Sequence, residues 1–176
     1  MKASVFIATS LDGFIARSDG ELDWLPAEGG EPHGYEEFIA TVDAIVIGRK
    51  TFETVLTFEA WPYGAKPVVV LSSTPSASTA PVGAVCEFMT GTPFEIVDRL
   101  TGRGFTHLYV DGGITIQRFL DAGLIQRVVI TRIPVLLGDG IPLFGRLRHD
   151  IRLKHIATRA FPSGMVQSEY VIAALT

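Results

Sequence analysis

The sequence predicts an α/β fold, with a mostly parallel central sheet and a C-terminal antiparallel hairpin. Three observations carry this expectation. Short apolar runs alternate with helix-like segments through most of the chain, the order that builds parallel sheets. Several of those runs are nearly continuous in apolar character, which suits strands covered on both faces. The end, IRLKHIATRAFPSGMVQSEYVIAAL, holds two strand-like runs joined by Pro162, Ser163 and Gly164, a hairpin signal.

The elements follow in order. KASVFIAT, residues 2–9, reads as a buried strand. SLDGFIARSDGELDWLPAEGGEPHG, residues 10–34, is rich in Gly, Asp, Glu and Pro and reads as a long loop with one short extended piece at Gly13–Ala16. Loops of this length inside compact domains tend to be functional. YEEFIATVD, residues 35–43, places Phe38, Ile39 and Val42 on one face of a short helix, and AIVIG is a second buried strand. RKTFETVL has Phe52, Val55 and Leu56 at helical spacing, and KPVVVLSST, residues 66–74, is a third strand ending in hydroxyls. AVCEFM is a weaker strand. TPFEIVDRLTGRG has Thr92 as N-cap, Pro93 at the first helical position, Phe94, Val97 and Leu100 as its apolar stripe and Gly102 as its stop. THLYVDGG, residues 106–113, is a strand running into glycines, and ITIQRFLDAG is a helix with Ile116, Phe119 and Leu120 inward and Gly123 as its stop. RVVITRIPVLLG is a further apolar strand, sticky enough to be a liability at an exposed edge.

At 176 residues, one domain over residues 1–176 is expected, long enough to bury a substantial core. The net charge of −4 and pI near 5.5 give no basic face, so no nucleic-acid partner is expected. The single cysteine, Cys86, leaves no intrachain disulfide, and the four histidines never fall at metal-ligand spacings, so no metal site is expected. The N-terminus lacks the long apolar core of a signal peptide, and no apolar run reaches membrane-spanning length. The expected location is the cytoplasm.

The stretch IVIGRKTFE sets Gly48, Arg49, Lys50 and Thr51 directly after an apolar strand. It is not a P-loop, because Arg49 separates Gly48 from Lys50 and the earlier glycine is absent. By itself it is either a phosphate contact or a solvated basic helix start. Two other strand ends bear on that choice: LSST, Leu71–Thr74, puts hydroxyls at the carboxyl end of a buried strand, and Val110 to Gln117 places Gly112 and Gly113 before a helix. Ligands of open α/β sheets collect beyond the carboxyl ends of strands, and helix N-termini favour anions. Three such ends suggest a dinucleotide with an extra phosphate, although VDGG is not the G-x-G-x-x-G fingerprint.

The motifs SLDGFIA, DWLP, GRKTFE, LSST, VDGGITIQRFL and LLGDGIPLF, in this order along the whole chain, resemble the dihydrofolate reductase-like superfamily. Within it they resemble most the reductase domain of riboflavin biosynthesis, the C-terminal domain of RibD-type enzymes. The resemblance implies a three-layer fold and NADPH as cofactor. Arg49 and Ser73 would hold the 2′-phosphate, Lys50 and Thr51 the pyrophosphate beside Gly48, and Leu71 and Ser72 the same strand end. Val110, Gly112, Gly113, Ile114 and Thr115 would cover the pyrophosphate and nicotinamide ribose, and Ala8 would meet the nicotinamide. An arginine fork matches phosphate in a bidentate way, which favours NADPH over NADH.

On the substrate side, the acid that holds pterin in true dihydrofolate reductases has no clear counterpart: the matching position falls near Gly34, with Glu31 and Glu36 out of register. Asp12 of SLDG is the expected catalytic residue, orienting substrate hydroxyls or assisting proton transfer; the alternative is an Asp-Gly turn. Trp24 and Phe38 are expected to wall the substrate pocket, with core packing an equal alternative for Phe38. Trp61 and Tyr63 read as packing or loop closure. The expected activity is hydride transfer from NADPH to the C=O or C=N group of a small polar molecule, foremost reduction of 5-amino-6-(5-phosphoribosylamino)uracil. The alternatives are a pterin reductase and a non-catalytic NADP(H)-binding protein. The related reductases are commonly homodimers, so a homodimer is expected.

Overall fold

The computed structural model describes residues 1–26, 31–74 and 79–173. Its element order is β1 (Lys2–Ser10), β2 (Phe14–Ala16), α1 (Tyr35–Ala40), β3 (Ala44–Gly48), α2 (Arg49–Val55), β4 (Val68–Leu71), β5 (Cys86–Met89), α3 (Pro93–Gly102), β6 (His107–Asp111), α4 (Gly113–Asp121), β7 (Arg127–Ile133), β8 (Ile141–Pro142), β9 (Leu153–Ala160) and β10 (Val166–Ile172). Eight strands form one sheet in the order β5-β4-β3-β6-β1-β7-β10-β9. The first six in that order run parallel, and β10 pairs antiparallel with both β7 and β9. The chain turns at Phe161–Met165, where the Gly164 N–H donates to the Phe161 carbonyl at 2.9 Å, so the hairpin foreseen from Pro162–Gly164 is present.

The parallel strands read as continuous apolar runs because helices cover both of their faces. On one face, Ile96 and Leu100 of α3 and Ile116, Phe119 and Leu120 of α4 pack on Val5, Val46, Val69 and Val110. On the other, Phe38 of α1 and Phe52 and Val55 of α2 pack on Ile45, Ile47, Val70 and Tyr109. The result is three layers. Successive strand residues serve opposite cores, as the alternation of side chains along a strand requires.

Two expectations need correction. Phe94 is 61% exposed, and Ile96 takes the buried place assigned to it, because the capping box formed by Thr92 and Glu95 sets the helix rotation so that Pro93, Ile96 and Leu100 face the sheet. The apolar strand after Gly123 is not an edge. β7 lies between β1 and β10, which explains its apolar sequence without any partner chain. The edges are β5 and β9, and all eight residues of β9 are exposed.

The long loop after β1 carries the short strand β2, which pairs with β8. Further along, an Arg17–Asp23 ion pair at 2.6 Å and a Ser18–Asp139 hydrogen bond at 3.0 Å fold the loop back. These contacts bring the loop over the carboxyl ends of the central strands.

Candidate active site

A cleft of about 1270 Å³ opens beyond the carboxyl ends of β1, β3, β4 and β6. Single small-molecule sites run to roughly 1,000 Å³, so this one has room for a dinucleotide and a second molecule beside it. Ala8, Gly48, Arg49, Lys50, Thr51, Leu71, Ser72, Ser73, Gly112, Gly113, Ile114 and Thr115 all line it. Residues from three strand–helix junctions, far apart in sequence, thus meet on one surface. Val110 does not join them: it is fully buried in the α3–α4 core, since it points away from its neighbour Asp111 along the strand.

The local structure explains how these junctions come close. Gly112 has φ +91°, a conformation that side chains other than glycine rarely adopt, and a Cβ there would collide with the Thr51 hydroxyl. A Cβ on Gly48 would stand 2.9 Å from Thr115 Oγ1. The first turns of α2 and α4 therefore interlock through glycines. Neither helix has a side-chain cap or an acid in its first turn. α3, which lies away from the junction, satisfies its own N-terminus with the Thr92–Glu95 box. The uncapped N–H groups of α4 and the glycine backbone before it fit the anionic diphosphate of a dinucleotide. Arg49 reaches across to Thr74 Oγ1 at 3.4 Å, placing a guanidinium at the end of β4 beside Ser72 and Ser73.

The other end of the cleft is aromatic and acidic. Phe6, Tyr35, Tyr63, Tyr109 and Asp111 line it, with Leu22 and Leu25 from the long loop above. Phe6 packs against Tyr35 at 5.7 Å and Phe38 at 4.9 Å between ring centroids. Asp111 is surrounded by protein yet keeps an open side toward the cleft. Its Oδ1 accepts the Gly112 N–H at 2.8 Å, and its Oδ2 accepts the Tyr63 hydroxyl at 3.4 Å. Tyr109 stands nearby, with its one hydroxyl proton directed to the Phe6 carbonyl at 2.9 Å. Burial pushes the Asp111 carboxyl above the ordinary range, only partly offset by its hydrogen bonds. Burial likewise raises the phenols of Tyr35 and Tyr63, reinforced by the Asp111 charge.

This has a consequence for stability. A folded-state pKa above the unfolded value means that stability is fully present below about pH 4 and is lost as pH rises through the folded pKa. Asp111→Asn removes that loss. The variant is expected to melt higher than the parent at neutral pH, by a few degrees, with the gap closing toward acid. Thermal unfolding across pH reads this directly, and a gap independent of pH would assign the effect to something other than Asp111 ionisation.

Three sequence expectations for the substrate side move elsewhere. Asp12 is not among the cleft-lining residues: its carboxylate accepts from the Leu137 and Gly138 N–H groups at 3.2 and 2.8 Å. Ser10 and these amides hold its pKa below the usual value, and the carboxylate anchors the LLGDG loop. Trp24 packs beneath the long loop near Ile133, Phe161 and Met165. Phe38 is 3% exposed and belongs to the core, where it supports Phe6 and Tyr109 from below. Gln117 holds the carbonyls of Pro142 and Leu143 at 3.1 and 3.2 Å. Sequence reading missed Asp111, Tyr35, Tyr63 and Tyr109 as cleft residues. For Asp111 a signal existed, since VDGG puts an acid at the end of a buried strand directly before the glycines.

The family model of the RibD C-terminal domain matches residues 2–167. The Bacillus subtilis (strain 168) protein YwjB, described as uncharacterized, is 34% identical over 98% of each chain. A crystal structure of a Shewanella sp. PV-4 protein to which riboflavin biosynthesis has been ascribed is similar with a TM-score of 0.90 and 40% identity, over 98% of this chain and 99% of the other. Dihydrofolate reductase from Enterococcus faecalis, solved with NADP(H), shares the fold at a TM-score of 0.65 and 17% identity, over 97% of this chain and 96% of its own.

Proposed function

Because the chain belongs to the RibD C-terminal domain family, we propose that it is an NADPH-dependent reductase that delivers hydride to the C=O or C=N carbon of a small polar substrate. The observation that carries this reading is the meeting of the β3, β4 and β6 ends on one cleft, with Arg49 at one end and the Asp111 pocket at the other. Bound NADPH would supply the hydride, and a proton must reach the oxygen or nitrogen of the reduced bond. This chain's residues hold and orient the two partners. Arg49 and Ser73 take the 2′-phosphate, the glycine turns and α4 take the diphosphate, and Ala8 lies against the nicotinamide. Within the family, reduction of 5-amino-6-(5-phosphoribosylamino)uracil is the nearest chemistry, and it sets the substrate scale: a flat aminopyrimidine with a polar arm. A cytoplasmic setting suits this chemistry, and among the described residues no helix is long and apolar enough to cross a membrane. The homodimer belongs with the same reading, and its natural seat is the open edge of β9.

Titration of NADPH and NADH, followed by nicotinamide fluorescence, tests the cofactor. NADPH is expected to bind at least tenfold tighter than NADH, the scale of one charge-assisted contact of about 1.5–3 kcal/mol. Arg49→Ala should weaken NADPH by a similar factor and leave NADH nearly unchanged. Equal affinities in the parent protein would remove the 2′-phosphate assignment.

A further inference from the structure

A second pocket, of about 460 Å³, opens on the sheet surface made by β7, β10 and β9, and no described residue lines both it and the large cleft. Along β7, Val128 and Ile130 pack with the α3–α4 core. Arg132 continues the same side of the strand, by the two-residue alternation of side chains, and is exposed. β10 sets Val166 opposite Arg132 and Ser168 opposite Ile130. β9 in turn sets Thr158 opposite Ser168 and His155 opposite Tyr170. Residues three apart on a regular strand point to opposite faces, but the register shift at Glu169/Tyr170 brings His155 to the side of Thr158.

The polar groups so collected form a chain. His155 Nε2 lies 2.7 Å from Thr158 Oγ1, which lies 3.0 Å from Ser168 Oγ. With the imidazole proton on Nε2, His155 donates to Thr158 and Thr158 donates to Ser168. The Ser168 proton is then left for an acceptor in the pocket. Ser168 is only 2% exposed, so that acceptor would be shielded from water. Arg132 supplies a permanent positive charge. Its guanidinium enters no ion pair among the described residues, and none of the described lining residues is an aspartate or glutamate. Ser168 is its diagonal neighbour across the β7–β10 pair, a span of about 7–8 Å that a long side chain bridges. The remaining wall is apolar, with Leu11, Ile133, Pro134 and Val166.

A guanidinium fork matches a carboxylate with two parallel hydrogen bonds. One fixed cation balances one negative charge, whereas a phosphate dianion asks for more. The volume suits a molecule of one ring or a short branched chain. We propose that this pocket is a second ligand site, which takes a small monocarboxylate with an apolar body. The carboxylate lies between Arg132 and the Thr158–Ser168 hydroxyls, and the body rests on Pro134 and Val166. The site stands on its own residues and does not depend on the reductase reading.

Benzoate is the probe, titrated into the isotope-labelled parent protein and followed by amide chemical shifts. It is expected to bind saturably with a Kd of about 1 mM or tighter, with the shifts centred on Arg132, Thr158, Val166 and Ser168. Inorganic phosphate at equal ionic strength should bind at least tenfold more weakly. Arg132→Gln, a change at an exposed position, should weaken benzoate at least tenfold, and Ser168→Ala by about fivefold. Both variants should keep NADPH affinity within about twofold of the parent, as distant sites do. Shifts that fail to saturate by about 10 mM, shifts centred elsewhere, phosphate binding as well as benzoate, or benzoate affinity unaltered in Arg132→Gln would each overturn the proposal. So would shifts at the same residues that follow protein concentration without benzoate, because a second copy of the chain would then fill the pocket. The comparison of benzoate with phosphate uses the parent protein alone, so it decides even if a variant folds poorly.

Discussion

Gly112→Ala is expected to abolish dinucleotide binding and to destabilise the fold by about 2–6 kcal/mol. The figure combines roughly 1–3 kcal/mol for a side chain at a strongly positive φ with a similar range for overpacking. Gly112 sits at φ +91° between β6 and α4, and a Cβ would run into the Thr51 hydroxyl on α2, with the Thr51 Cβ 3.3 Å away. Two helix starts that line one cleft would have to separate. The methyl itself would also stand on the backbone face that a diphosphate approaches. Thr51→Ala takes away the nearer obstacle, so the double variant Gly112→Ala/Thr51→Ala should recover part of the lost stability but not the strain in φ. The two substitutions would then be non-additive, as residues in contact usually are. Thermal unfolding of the four proteins together with NADPH titration checks this. A Gly112→Ala protein that melts and binds like the parent would mean that the junction is looser than its geometry.

What could be read in the sequence, and what could not, divides along a physical line. The cleft end proposed for the cofactor could be anticipated because its groups are local: glycines, hydroxyls and an arginine placed within a few residues of a strand end, where backbone direction alone sets where they lie. Gly48 to Thr51 and Gly112 to Thr115 are such runs, and both line the cleft. The aromatic and acidic end is assembled from contacts across the chain. Tyr63 and Asp111 meet although 48 residues separate them, and nothing in the spacing of WPYG and VDGG announces that pair. Asp12 lies apart from the cleft lining for a related reason. SLDG is a local signal for a tight turn, but its carboxylate is claimed by amides 125 and 126 residues away, in a loop whose approach only the fold determines. The edge strand was misjudged because apolar sequence marks burial without saying by what. β7 is covered by its neighbours in the sheet, while β9, with its mixed residues, carries the open edge.

Phe52→Ala should cost about 3–5 kcal/mol and should also loosen the cofactor site, whereas Leu100→Ala, of similar size in stability, should leave that site intact. Both side chains are fully buried. They anchor different things. α2 has seven residues, too short to persist as a helix without tertiary contacts, and it buries only Phe52 and Val55. Phe52 is held edge-on by Trp61 and Phe88, with centroids 6.3 and 5.5 Å apart. Its ring is therefore the main tie that keeps Arg49, Lys50 and Thr51 at the cleft. Leu100 closes the last turn of α3, a ten-residue helix with its own capping box and no residue lining the cleft. With both variants studied where they remain folded, NADPH affinity should fall at least tenfold for Phe52→Ala, because binding must then also order the helix start. It should stay within about twofold for Leu100→Ala, whose contacts lie in the opposite core. If the two variants lost affinity equally, binding would be reporting general stability, and α2 would lose its place as the element that sets the phosphate end of the site.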